Sequence, residues 1–409
     1  MTARLEADIL QVLRAAMALV SADGLSALTL RPLAERLGTT VSILSYKFGR
    51  KDDLVAAIID AAREEDSAFL DLWLARIRAV RSMTPAIMAE FADSILDDMA
   101  RGHAIRGQFY CELLQGAASR PEIAAPLSLW RAQRLAFWRA ATERLERPDL
   151  AETLHAYSAD EVVHGLALGD QAAYRWLRRL GLKRLCGDLV AAEGDTDGEL
   201  FTVFHAALGD LLMTPDGRYQ AAPMSEWQAR IAGHISALII AEGADAVTHW
   251  AVAKRAGVAS STLAYHFPRQ DDLLRSGLDD VIIRLQGHVD RPASPGSTSE
   301  PNRSREEIAR ATFAVALAAT RNASLKGIAA DMRRRRGENL YVYLKREGGG
   351  ATPFDLLSAQ VMSITSIGQL MLTAGEVGGA GADFELIGRM RTTALAAGPK
   401  PPREYRTTV

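Results

Sequence analysis

Two cysteines, Cys111 and Cys186, are all that 409 residues carry. So few thiols, so far apart, exclude a disulfide framework or a four-ligand zinc site and fit a reducing cytoplasm. Aromatic residues are scarce at 6%, while 48% of the chain is hydrophobic and rich in Ala and Leu, the make-up of a mostly helical protein with well-filled cores. Charge of one sign is also lacking. The net charge is −2, so a polyanionic partner must meet a local basic surface rather than a basic chain. The first ten residues mix charged and apolar side chains, and no uninterrupted apolar run reaches the roughly 18 residues of a membrane span. The expectation is a soluble cytoplasmic protein with no membrane partner. Signatures of catalysis are missing too: there is no glycine-rich phosphate loop, no His pair at i and i+4 with an acid, and no nucleophile elbow. The glycine runs at 348–350 and 378–381 follow no predicted strand and read as hinges. No catalytic residue, metal site or cofactor is expected, and the chain does not read as an enzyme.

What the chain does have is a repeat. A shift of 219 positions lays residues 24–54 over 243–273 without a gap, with 14 identities in 31 positions. The identities include Gly24/Gly243, Thr29/Thr248, Ala34/Ala253, Gly38/Gly257, Ser42/Ser261, Leu44/Leu263, Tyr46/Tyr265, Phe48/Phe267 and the triplets at 52–54 and 271–273. Similarity fades beyond Leu273. The two halves therefore share a small head and differ in the larger segment behind it.

Each head reads as three helices. Leu5, Ile9, Val12, Leu13, Ala16, Met17 and Val20 recur at helical spacing, as do Trp227, Ile231, Ile235, Leu238 and Ile239. Gly24 and Gly243 stop these first helices. Thr29 and Thr248 then stand where a hydroxyl can cap the next, at 30–37 and 249–256. Gly38 and Gly257 make a tight turn into a short third helix at about 40–47 and 260–266. Helix, glycine turn and second helix form the helix-turn-helix unit. Its last helix must present small, polar or basic side chains to the major groove. From Arg36 to Lys51 the charged residues are Arg36, Lys47, Arg50 and Lys51, and from Lys254 to Gln270 they are Lys254, Arg255 and Arg269, with no acid in either window. Thr29, Thr39, Thr40, Ser42 and Ser45, then Thr248, Ser260, Ser261 and Thr262, add hydroxyls for phosphates or base edges. A Tyr in such a helix is core about as often as surface, and an Arg/Lys cluster is usually only solvated. The case for DNA rests on their coincidence with the turn and the repeat.

The stretch from Leu33-Ala34 through Gly38, Ser42, Leu44, Tyr46, Phe48 and Lys51-Asp52-Asp53-Leu54 resembles the signature of the TetR family of bacterial regulators. The second copy resembles it through Val252-Ala253, Gly257-Val258, Ser261-Thr262-Leu263, Tyr265-His266-Phe267 and Asp271-Asp272-Leu273. The resemblance covers about 50 residues per head. It implies an all-α fold of two three-helix heads, each followed by a helical regulatory body, arranged as a pseudo-dimer. The corresponding segments are a head at 1–54, a body at 55–213, a linker at 214–224, a second head at 225–273, a second body at 274–397 and a flexible tail at 398–409. It also implies that Tyr46, Lys47 and Lys51, with Tyr265 and His266, approach double-stranded DNA, joined by Arg269 where Gln270 replaces the family's usual Lys. The place of action would be the bacterial cytoplasm, at the nucleoid when DNA is bound.

Behind the first head, 52–79 reads as one long helix, followed by helices through Leu113, 127–145 and 154–168, punctuated by Pro85, Pro121, Pro126 and Pro148. The resemblance makes 156–168 with 199–212, and 354–372 with 383–396, the last two helices of each body, paired in a four-helix bundle within one chain. Phe109, Tyr110, Trp130, Trp138, His155, Tyr157 and His164 are candidates to line a pocket for a small apolar or aromatic effector, although aromatics at helical spacing are more often core. The segment 291–305, rich in Pro, Ser and Gly, reads as a mobile loop, and the arginines at 333–336 as a solvated helix face. The function expected is a ligand-responsive repressor, monomeric or further dimerised, binding an operator whose half-sites differ because the heads differ. The alternatives are one degenerate head with dimerisation on a palindrome, or a helical partner-binding scaffold.

Overall fold

The first helix, α1 (Thr2–Asp23), buries Val12, Leu13, Ala16 and Val20 along one face and ends at Gly24, whose φ of 78° a side chain would resist. A 3-10 turn leads to α2 (Leu30–Arg36) and α3 (Val41–Phe48), and α4 (Lys51–Ala79) runs out of the head as one continuous helix. The structure is a computed structural model that describes residues 2–145, 147–191, 194–212, 223–290, 300–350, 352–374 and 381–397. Among these residues there are helices and turns and no strand. The expected linker lies largely, and the expected tail wholly, outside them.

The chain continues through α5 (Pro85–Asp97), a π-turn at 98–102, α6 (Ala104–Gly116), α7 (Pro121–Thr142), α8 (Pro148–Leu168), α9 (Ala172–Cys186) and α10 (Thr196–Gly209). Pro85, Pro121 and Pro148 each start a helix, where the missing N–H costs nothing. Pro126 does not punctuate: it lies inside α7, near its start. The second head comprises α11 (Glu226–Glu242), α12 (His249–Ala256) and α13 (Ser260–His266). Then follow α14 (Gln270–Asp290), α15 (Glu300–Ala319), α16 (Lys326–Arg334), α17 (Glu338–Glu347), α18 (Leu356–Thr373) and α19 (Ala382–Ala397). The loop expected at 291–305 is overturned from residue 300 on, where α15 begins; 291–299 lie outside the described residues, as does most of the glycine run at 378–381.

The two halves meet chiefly along α8 and α18. α18 carries no charged residue and is long and apolar enough by composition to cross a membrane, but two-thirds of it is buried in the protein. Gly368 lets its backbone approach α8 so closely that an added Cβ would run into the Ala156 carbonyl oxygen. The four-helix arrangement differs from the expected one. α9, which the spacing of apolar residues did not announce, inserts between α8 and α10 in the chain and packs on both, and it is α9 that lies against α18, with α10 turned toward α16.

The arginine run is corrected too. Arg333, Arg334 and Arg336 are buried, and Arg333 pairs with Glu161 while Arg336 reaches Asp160 at 3.1 Å. The acids of α8, one turn from its apolar contacts, draw these cations inward. Glu161 also accepts from Tyr174 Oη at 2.7 Å. In the first half, Asp66 of α4 is fully buried and accepts from Arg134 at 2.8 and 3.1 Å and from Trp130 Nε1 at 2.7 Å, which fixes α4 against α7. Burial alone would raise the Asp66 pKa, but Arg134, Trp130 and Arg106 hold it below the usual carboxylate range.

Both heads rest on α6 and α15. Gln108 of α6 donates to Ser21 O at the end of α1, and Gln115 of the same helix donates to Ile240 O near the end of α11. Arg310 of α15 donates to Ala241 O, and Arg321, just beyond α15, donates to Val20 O and Ser21 O. Arg321 also pairs with Glu112 of α6 and, at 2.6 Å, with Asp245 of the second head. Asp245 in turn sits against Gly24 of the first head, where a Cβ would collide with its carboxylate.

This packing carries two testable consequences. Gly368→Ala should lower the stability of the chain by about 1–3 kcal/mol or more through overpacking, read as an earlier urea midpoint at unchanged helical content; an unchanged midpoint would mean that α8 and α18 can separate at no cost. The second concerns Glu112, pushed up to about 7 by burial despite Arg321, with Asp245 raised as well. A carboxyl whose folded pKa exceeds its unfolded value of about 4.3 stabilises fully below that value and loses the contribution as pH rises through about 7. Urea titrations between about pH 5 and about pH 8 should therefore show wild type losing more stability than Glu112→Gln. Parallel curves would mean that Arg321 holds the carboxylate at its ordinary pKa.

Candidate nucleic-acid interface

In the first head the turn residue Gly38 has φ 63°, and Thr40 caps α3, its hydroxyl oxygen accepting from Ile43 N at 3.3 Å. Leu44 is the one fully buried side chain of α3, so the helix lies on the head along a single line and turns the rest outward. Val41, Ser42, Ile43, Tyr46 and Lys47 are exposed, and Ser45 and Thr39 are half-buried. Tyr46 is 92% exposed, which removes the reading of it as a core residue. Beside it, Arg36, Arg50 and Lys51 are exposed. Asp53 turns back to accept from the Arg50 N–H at 2.9 Å, which fixes the entry to α4 and leaves Lys51 at its first turn. Thr29 occupies the N-cap of α2 and is exposed, but its side chain makes no capping bond, contrary to expectation.

The second head repeats this frame. Gly257 has φ 67°, Leu263 anchors α13, and Asp272 accepts from Arg269 N at 2.9 Å. Thr248 caps α12 through Ala251 N at 3.1 Å. Ser260, Ser261, Thr262, Tyr265, His266 and Arg269 are all exposed, Tyr265 to 80%. The same backbone thus presents a different surface. The His266 ring lies 4.3 Å from that of Trp227 in α11, where the first head has Lys47 at the end of its helix. Gln270, standing where the first head has Lys51, donates to Val247 O at 2.9 Å and is engaged within the head.

One exposed pair was not anticipated from the sequence. Trp250 on α12 is 67% exposed, with the Lys254 ammonium 5.0 Å from its ring centre. At the matching positions the first head has Arg31 and Glu35, which pair with each other at 3.0 Å. The signal was present in the repeat: these are two charge-changing differences in an otherwise similar helix.

The effector candidates are placed elsewhere. Phe109, Tyr110, Trp130, Trp138, Tyr157 and His164 are each at most 1% exposed. Tyr110 lies edge-on to Trp130 at 5.0 Å and beneath Arg134 at 3.7 Å, Trp138 packs on Phe137, and His164 Nδ1 bonds to Asp160 O. His155 is the member of the set that lines an open cleft. Among the described residues no group of three or more His, Cys, Asp and Glu side chains is arranged to hold a metal.

The pattern shared by bacterial regulatory proteins of the tetR family matches residues 12–58 and, separately, residues 235–276. No curated protein matches the chain. The two matched segments coincide with the two heads, from the buried stretch of the first helix to the start of the long helix that leaves each head. Proteins of this family are regulators that bind DNA. The chain therefore carries, in one polypeptide, two copies of the DNA-binding unit that the tetR family of bacterial regulatory proteins shares.

Proposed function

We propose that this chain is a ligand-responsive repressor that binds an asymmetric operator with both heads at once. The observation that carries the reading is the presence, on one polypeptide, of two exposed reading helices with unlike outer residues: Thr40, Ser45 and Lys47 in one, Ala259, Ala264 and His266 in the other. Identical heads call for a palindrome, and unlike heads call for unlike half-sites, spaced by about 34–36 Å or a multiple of it.

The heads also differ in how they neutralise phosphate. The first places Lys47 and Lys51 at the reading helix and the start of α4, while its Arg31 is cancelled by Glu35. The second has lost both lysines, but on α12 it gains Lys254, with Trp250 beside it, where the first head is neutral. The second head therefore grips the backbone from its α12 side, with the indole face against sugar and the ammonium on phosphate. The first head supplies the larger share of the affinity, because its reading helix ends on the ammonium of Lys47 where the second has the His266 ring packed on Trp227.

The effector reading is supported by the route from body to head: α4 leaves the first head and is fixed to α7 through Asp66. A small molecule that changes the packing of the bodies changes how the heads face the duplex, and a coupling of roughly 1–3 kcal/mol alters occupancy several-fold.

Selection of bound sequences from random duplexes, followed by light scattering of the complex, tests the proposal: it expects two different half-sites per chain. A palindrome holding two chains would instead favour a degenerate second head, and no retention at low salt would favour a scaffold. In salt titrations on the selected operator, Lys47→Ala and Lys254→Ala should each lower the magnitude of the slope of log K against log salt by about 1 and weaken binding to all sequences alike. An unaltered slope for Lys254→Ala would remove α12 from the interface.

A further inference from the structure

The seam between the halves holds more than packing. α7 and α8 on one side, with α18 and α19 on the other, enclose an open cleft of about 350 Å³. Its floor contains Arg131 and His155, which are 6% and 7% exposed. His155 Nε2 is buried and has no hydrogen-bond partner. A buried ring nitrogen left unmet is costly, and in a native structure it points to a group that meets it.

The charges facing this imidazole come from every helix around it. On α7, Arg134 is committed to Asp66, while Arg131 donates to Met371 O across a long 3.4 Å. Arg139 of α7, at 3.6 Å, and Arg389 of α19, at 2.7 Å, share the single carboxylate of Glu152 on α8. α18 adds the neutral Gln369. Among the described residues cations outnumber acids here, and burial followed by the effect of Arg134, Arg131 and Arg139 lowers the His155 pKa to about 3, so the ring is neutral and can donate a single N–H. Leu135 and Leu372 supply apolar walls. A positive floor beneath apolar walls suits an anion that carries a hydrocarbon group.

We propose that this cleft binds a small organic carboxylate, its carboxylate on Arg131 and His155 Nε2 beneath the Arg389 rim and its apolar part against Leu135 and Leu372. Inorganic phosphate lacks the apolar part, and a neutral amide lacks the charge. Because α7 and α8 belong to one half and α18 and α19 to the other, an occupant would pin the halves together. That last step rests on the effector reading above; binding itself does not.

The test uses the full-length protein in calorimetric and thermal-shift titrations with benzoate and octanoate, each against its own amide, and with inorganic phosphate. At least one carboxylate should bind in the millimolar range or tighter, roughly tenfold or more above its amide. His155→Phe and Arg131→Met should weaken it. Since both lie in the interior, Arg389→Glu at the exposed rim, which gives up the surface pair with Glu152 but leaves the floor intact, should also weaken it by roughly tenfold in a protein that still unfolds in one cooperative transition. No binding by either carboxylate, equal binding of the amide, phosphate binding as tightly as the carboxylates, or a well-folded Arg389→Glu with undiminished affinity would each overturn the site. Operator affinity measured in parallel separates the two readings. A carboxylate that binds the cleft and leaves operator affinity unchanged keeps the site and removes this occupant as the effector. Release by a benzoate or octanoate whose binding ignores Arg389→Glu keeps the repressor and removes the site.

Discussion

Arg321 is the point on which the placement of both heads depends. One guanidinium reaches two backbone carbonyls at the end of α1, a carboxylate on α6 and a carboxylate in the turn of the second head. It sits where helix ends leave carbonyls without partners, so it meets backbone groups that would otherwise be unmet at a buried junction. Arg310 does the corresponding work at the end of α11, accompanied by Gln115 from the other half. Each head is thus held by residues from its own half and from the other, so that neither can tilt without disturbing both. Removing one partner from such a cluster costs far more than the pair contributes, because a charge is left behind in the interior.

The same logic extends through the bodies. Asp66, Asp160, Glu161 and Asp93 lie on helix faces turned inward, and each is met by arginine: Arg134, Arg336, Arg333 and Arg178. Leucines of similar volume would fill this space with less desolvation, so these pairs contribute little net stability. They do select one register. An arginine fork satisfied at 2.8 and 3.1 Å by one carboxylate, as Arg134 is by Asp66, is left unmet if α4 slides by a turn against α7. On the proposed reading, in which a signal travels along α4, that helix must occupy defined positions rather than a continuum.

This also explains what the sequence made legible. The heads are short, local and built of strong signals: a glycine with positive φ at each turn, one anchoring leucine per reading helix, and an aspartate three residues past the arginine that precedes the long helix. The observed spans of α12 and α13 are those the spacing predicts, and α2 and α3 differ by a residue. The bodies are harder to read because burial there does not follow hydrophobicity. The arginines at 333–336 look solvated until the acids of α8 are known to face them, and no periodicity reports that Arg333 has its partner 172 positions away. α9 is hidden for a related reason: arginine interrupts its apolar pattern, since Arg178 and Arg184 occupy its inner face and find acids there. The aromatic candidates were legible as residues but not as a pocket, since six of the seven fill space in the interior, and His155 is set apart by its place in the lining of an open cleft, which is invisible without coordinates.

Joining two heads in one chain changes what each must supply. In a dimer of separate subunits both heads must bind well enough to hold the complex on DNA. When the second head is carried on the same bodies, its contact with the duplex follows that of the first at a fixed and high effective concentration. A half-site contact too weak to form alone then still adds to the whole. On that reading a reading helix can do without lysine, as at His266 and Gln270, and the proposed contact of Trp250 with Lys254 can stand on an adjacent helix, because the first head holds the register. If the operator is asymmetric as proposed, the geometry that ties the heads through Arg321 also sets the order in which its two unlike half-sites must occur, so inverting one half-site should be tolerated less well than weakening it.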